Sequence, residues 1–313
     1  MQLTYLTFTA PRRDDEAFAS YKNRNKAALL NQEMNPNVAF SDSITFALQM
    51  GHPRTIRMKA DMIDKMDYDK ILAMYQDRYK DASDFTFILV GNVDVESMKP
   101  LIAEYLGALP AIDRKESFKD NKIEYRKGVY KNEFVREQET AKASNFVCFI
   151  GTCKYDLKNS ILQDMTCQIM DLVYTEKVRE DEGGTYGVYV GGNLSKYPKE
   201  IAGIQIVFDT APSKREKLMK IIFAEIEHIS KEGPSQANLN KVKEFMLKKH
   251  AEDLKENSYW MGSIDEYLFT GMNPIKDYEQ TVNSITAKDI QKFADDLFKQ
   301  KNEVEVSMIS PDK

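Results

Sequence analysis

The chain is 313 residues long with 42% apolar and 30% charged side chains, which is enough to bury a full core and excludes disordered and fibrous classes. Lysine and arginine number 44 against 49 acids, a net charge of −5 with both signs interleaved, which argues against nucleic acid as a partner. Mean hydropathy is −0.51, and the strongest apolar run, residues 85–90, falls far short of the about 20 residues that cross a bilayer, so no membrane span is expected.

Helical periodicity opens at residues 14–32, with Asp14, Asp15 and Glu16 where the N-terminal dipole favours acids. A second helix is predicted over 36–49, closed by Gly51 and Pro53, and a third over 67–79, where Ile71, Leu72, Tyr75 and Tyr79 share one face. Residues 85–91, β-rich and almost wholly apolar, predict a central strand buried on both faces. Asp94 should cap the next helix, 95–106, with Gly107 as its stop. The polar stretch 110–121 reads as a linker between a domain at 1–109 and another at 122–313.

Weak alternation over 122–139 suggests a hairpin, and 144–150 a better strand. A long helix follows at 156–180, with Ile161, Met165, Ile169, Leu172 and Val173 inward. Strands are predicted at 185–191 and 201–208, and helices at 214–230, 236–256, 258–270, 274–282 and 289–298. A last strand covers 304–309.

Displacing the sequence by 219 residues pairs Ile71 with Ile290, Tyr79 with Phe298, and Phe85, Phe87 and Leu89 with Val304, Val306 and Met308. Each copy then reads as amphipathic helix, charged turn, strand. On this reading residues 122–313 are a complete α+β domain and 1–109 the C-terminal part of an earlier copy, so the chain looks truncated. Its start also lacks the basic region and long apolar stretch of a signal peptide.

The three cysteines, Cys148, Cys153 and Cys167, do not suit a disulfide framework. Phe146, Cys148 and Ile150 alternate as one strand face, which makes Cys148 a small buried apolar group. The three histidines, His52, His228 and His250, are at least 22 residues apart, so no pair can meet on one helix turn. His52 is expected in a turn, and His228 and His250 at a surface or interface of charged helices.

Three segments carry a family resemblance. Asp84-Phe-Thr-Phe-Ile-Leu-Val-Gly-Asn-Val-Asp94, followed by Leu101-Ile-Ala-Glu-Tyr-Leu-Gly-Ala-Leu-Pro110, resembles the strand, capped helix and Leu-Pro close of insulinase/pitrilysin-type zinc metallopeptidases. Val178-Arg-Glu-Asp-Glu-Gly-Gly-Thr-Tyr-Gly-Val188 resembles the helix end and glycine turn of that family's C-terminal half, and Asn257-Ser-Tyr-Trp260 is similar to a helix break in its bacterial branch. The resemblance implies an α+β fold of duplicated domains, each an antiparallel sheet with helices on one face. Four such domains form two halves around a chamber where peptides are cleaved.

The family's zinc site, an inverted H-x-x-E-H with a distal Glu, is implied for its N-terminal half, and this chain does not contain it. The chain therefore resembles the C-terminal, non-zinc half. No cofactor or metal is expected within it, and zinc is expected in the missing N-terminal half, on the same chain or a separate subunit.

The resemblance assigns chemistry to Arg179 and Tyr186, seven residues apart across a helix–turn–strand corner. The Tyr hydroxyl would hydrogen-bond the tetrahedral intermediate and the Arg fork would anchor the substrate backbone. Read from the residues alone, the pair is rather an exposed helix-end arginine and an amphipathic strand tyrosine, since such pairs are abundant. The implied function is the chamber wall and substrate contacts of a zinc-dependent peptidase, inactive without its partner half. Alternatives are a catalytically silent scaffold or regulatory subunit of the same fold, or an unrelated peptide-binding module using sheet edges. The compartment stays open, with the bacterial cell envelope suggested by the resemblance alone.

Overall fold

The computed structural model describes residues 1–182 and 187–311, the side chains of 178–182 excepted. In chain order the elements are α1 (Gln2–Thr9), α2 (Asp15–Glu33), α3 (Pro36–Gln49), α4 (Ala60–Asp64), α5 (Tyr68–Tyr79), α6 (Val95–Tyr105), β1 (Val129–Val135), β2 (Ala143–Thr152), α7 (Leu157–Glu182), β3 (Val188–Ser195), β4 (Ile201–Thr210), α8 (Arg215–Lys231), α9 (Gln236–Asp253), α10 (Asn257–Thr270), α11 (Tyr278–Ser284), α12 (Ala287–Phe298) and β5 (Glu303–Ile309). Packing divides them into two compact units, Met1–Asn35 with Arg57–Asn121, and Pro36–Ile56 with Lys122–Lys313. The sequence division kept residues 36–56 with the first domain, whereas their packing groups them with the second.

In the first unit α2, α5 and α6 start where acids cap them: the carboxylates of Asp14, Asp67 and Asp94 accept from the backbone N–H of Ala17, Lys70 and Ser97. The interior is aromatic. Phe8 of α1 meets Tyr79 and Phe85 edge-on at 4.9 and 4.8 Å between centroids, and the Tyr75 hydroxyl donates to the Thr7 carbonyl at 2.6 Å.

The central strand expected at 85–91 does not form. The segment pairs with no described strand, and Phe85, Phe87 and Leu89 stay 38%, 36% and 43% exposed. Near-continuous apolarity marks a doubly buried strand only where a ladder partner exists, and all five described strands lie in the second unit.

The expected linker carries no helix or strand, yet it is fastened. Asp81, fully buried, accepts from the Ile112 and Arg114 backbone N–H at 3.0 and 2.7 Å, and from the Ser83 hydroxyl at 2.6 Å.

The second unit is built on a five-stranded sheet in the order β1-β5-β2-β4-β3. The sheet was expected to be antiparallel and is mixed. β5 lies antiparallel to β2, but it enters between β2 and β1 and runs parallel to β1, Val129 opposite Glu303. A parallel neighbour needs a long crossover, which the helices between the ends of this unit supply.

The hairpin expected over 122–139 is instead the single strand β1. The residues before it hydrogen-bond α3: the Arg126 N–H donates to the Leu48 carbonyl at 2.8 Å and its guanidinium to Ala47 at 2.6 Å.

Period-2 alternation sends Val147 and Phe149 of β2 to one face, where they join Ile204, Ile206 and Phe208 of β4 and the apolar sides of α7, α8, α9 and α12. Phe146, Cys148 and Ile150 point to the other face with Val304, Val306 and Met308. Helices were expected on one face only, but Phe40 and Ala47 of α3 pack against this second face.

Candidate functional site

The site proposed from sequence lies where α7 gives way to β3. The side chain of Arg179 and the whole of Tyr186 lie outside the described residues, as do Gly183 and Gly184, where the resemblance places a turn. The flanks are defined. On α7, fully buried Tyr174 donates its hydroxyl to the Ile222 carbonyl at 3.0 Å, and Lys177 pairs with Glu225, so the helix is clamped to α8 close to its end. On the strand side, Gly187 holds φ at 72°, a left-handed conformation that favours glycine, and Val188 then drops into the core.

The Val190 N–H donates to the Asp171 carboxylate at 3.2 Å, which binds the start of β3 back to α7. Beside this tie, Asp171, Leu172, Tyr189, Val190, Lys241 and Phe245 line a cleft of about 360 Å3. The contribution of Asp171 could not be read from sequence, because its partner is a backbone N–H 19 residues away.

The histidines do not converge. His52 follows α3 in a turn, its Nδ1 accepting from the Arg54 backbone N–H at 3.2 Å. His228 lies on α8 beside Glu232 at 3.5 Å. His250, expected at a surface or interface, is 5% exposed: it follows Leu239, Val242 and Met246 along the buried stripe of α9. That stripe was the available signal.

Among the described residues no group of three or more His, Cys, Asp or Glu is placed to hold a metal ion. The donors present do not fit a catalytic zinc site, which needs three converging protein ligands. The three thiols are free, and burial pushes Cys148 and Cys167 up to about 12 and Cys153 to about 11, far from nucleophilic thiolates.

A family model described as the peptidase M16 inactive domain matches residues 65–246, more than half of the chain. The chain belongs to the peptidase M16 family. A zinc protease PQQL-like protein of Arabidopsis thaliana is 25% identical over 284 residues, covering 84% of this chain and 29% of that protein.

Among solved M16-like folds, the periplasmic protease PqqL of Escherichia coli superposes with a TM-score of 0.79 at 16% identity, over 95% of this chain and 33% of that one. The peptidase M16 inactive domain of Pseudomonas fluorescens gives a TM-score of 0.74 at 20% identity, over 98% and 73% of the two chains. The chain thus spans a third or less of the length of the two PqqL-type proteins. The mixed α+β architecture is that of M16 peptidases.

Proposed function

We propose that this chain is the non-zinc half of an M16 peptidase. It walls the chamber that receives a peptide and presents Arg179 and Tyr186 to it, while a zinc-binding half, on the same polypeptide or a separate subunit, supplies the metal and the general base. The observation that carries the reading is the match to the inactive-domain model over residues 65–246, in a chain whose histidines cannot form the zinc helix.

The clamped end of α7 and the Asp171–Val190 tie support it, because a donor aimed at a transition state must be held by its surroundings. Residues 1–109 are read as the C-terminal part of one copy of the domain and 122–313 as a whole second copy. The spacing of the helices supports this: α5 and α12 are both twelve residues long, and Tyr68 and Ala287 begin them 219 positions apart.

On this reading the Tyr186 hydroxyl donates to the oxygen that gains negative charge as the scissile carbonyl is attacked, and the Arg179 fork binds the peptide before and during reaction. In the assembled enzyme, Tyr186→Phe should lower kcat by about 10²–10³ with KM little changed, as for loss of one such donor. Arg179→Ala should raise KM as well. Unchanged kinetics in both variants, measured with a quenched fluorescent peptide, would rule out their role. An assembly that folds but cleaves nothing would instead identify a scaffold subunit.

A further inference from the structure

Away from the α7–β3 corner, α7, α9, α10 and α11 enclose a second cleft of about 310 Å3, at the small end of the ~300–1,000 Å3 typical of small-molecule sites. Its wall is aromatic: the His250 ring stacks on Tyr278 with centroids 4.2 Å apart and planes 20° from parallel, and the Tyr259 hydroxyl is hydrogen-bonded to His250 Nδ1 at 3.0 Å.

Asp164 of α7 faces the same space. The residue is exposed, yet its carboxylate has no hydrogen bond and no ion pair among the described residues, and desolvation pushes it up to about 6. Its charge is felt across the cleft: burial first, then the negative field of Asp164, raises the Tyr278 hydroxyl to about 12. The other charges at the rim, Lys249 and Asp253, neutralise each other in an ion pair.

An uncompensated carboxylate beside electron-rich ring faces attracts a cation. An ammonium is a compact charge with three donors on an alkyl stem. Ile161, Met246 and Met272 offer apolar surface for that stem. We propose that this cleft binds an alkylammonium group, with Asp164 as its counter-ion and the Tyr278 ring as its wall. The group is carried by a free amine or by a lysine side chain.

Ring-proton NMR tests this directly, because His250 is in the cleft wall and His52 and His228 serve as internal references. The probes are n-pentylammonium, Nα-acetyl-lysine methylamide and, as the neutral analogue, Nα-acetyl-norleucine methylamide. A saturable shift of the His250 signals alone, with an ammonium probe and without norleucine, is the expected result. Saturation by both ammonium probes admits lysine side chains, and saturation by n-pentylammonium alone restricts the site to free amines.

Asp164→Asn keeps the shape and should weaken binding by about tenfold or more. Absence of saturation well above millimolar probe, equal binding of norleucine, or unchanged affinity in Asp164→Asn would overturn the proposal. If that variant does not fold, the contrast between ammonium and norleucine probes on the wild-type chain decides alone.

Discussion

Asp67 and Thr286, 219 positions apart, do the same job: the Asp67 carboxylate accepts from the Lys70 N–H at 3.1 Å, and the Thr286 hydroxyl from the Asp289 N–H at 3.2 Å. Each begins a twelve-residue helix. Only Thr286 has the reciprocal partner, since the Asp289 carboxylate accepts from the Thr286 N–H at 2.9 Å and closes a capping box.

Thr286→Ala should therefore cost the second unit about 1 kcal/mol, within the ~0.5–2 kcal/mol range for lost caps, read from urea unfolding at unchanged slope. The box also sets a pH window. Burial works against the Asp289 carboxylate, but its bonds from Thr286 and its ion pair with Lys158 outweigh that and hold it at about 2. Its contribution is complete above the unfolded value of 3.8 and is lost as pH falls through about 2.

Asp164 has the opposite sign. Its folded value of about 6 lies above the unfolded 3.8, so its contribution is fully present below 3.8 and lost as pH rises through 6. The groups around it are Lys249, His250 and Asp253 of α9, Tyr259 of α10 and Tyr278 of α11. Asp164→Asn should stabilise the free chain at pH 7 by about 1 kcal/mol, the bare linkage value being reduced because the residue is exposed. The gain should shrink towards pH 4. A variant less stable than wild type at pH 7 would show that the carboxylate has a partner.

Asp81 fastens residues 112–114 by accepting their backbone N–H groups, and its bonds from Ser83, Ile112 and Arg114 hold its carboxyl well below the usual range. Asp81→Ala leaves those donors unmet. Limited proteolysis should then cut within residues 110–121 much faster than in wild type, with the second unit unaffected. Equal cutting rates would mean that the segment is held by other contacts.

The helices were legible because their signals are local. Caps at Asp14, Asp67 and Asp94 and the stripe Ile161, Met165, Ile169 lie within a few residues of the structure they specify. Strand pairing is not local. Residues 85–90 and 304–309 share a pattern, yet only the second has neighbours, β1 and β2, each more than 150 residues away in sequence. The same limit hid the packing of α3, whose Phe40 and Ala47 meet strands far along the chain, and the Asp171–Val190 tie. His250 was misplaced for another reason: a histidine among lysines reads as surface until its position on the α9 stripe is counted.

The central claim is that this chain works only with a zinc-binding half. Zinc content and peptidase activity of the purified chain, measured alone and after mixing with that half, test it most directly. Alone, the dialysed chain should hold no stoichiometric zinc and cleave no peptide, and mixing should produce cleavage that chelators abolish. A chain that by itself keeps about one zinc on protein ligands and cleaves peptide would contradict the claim.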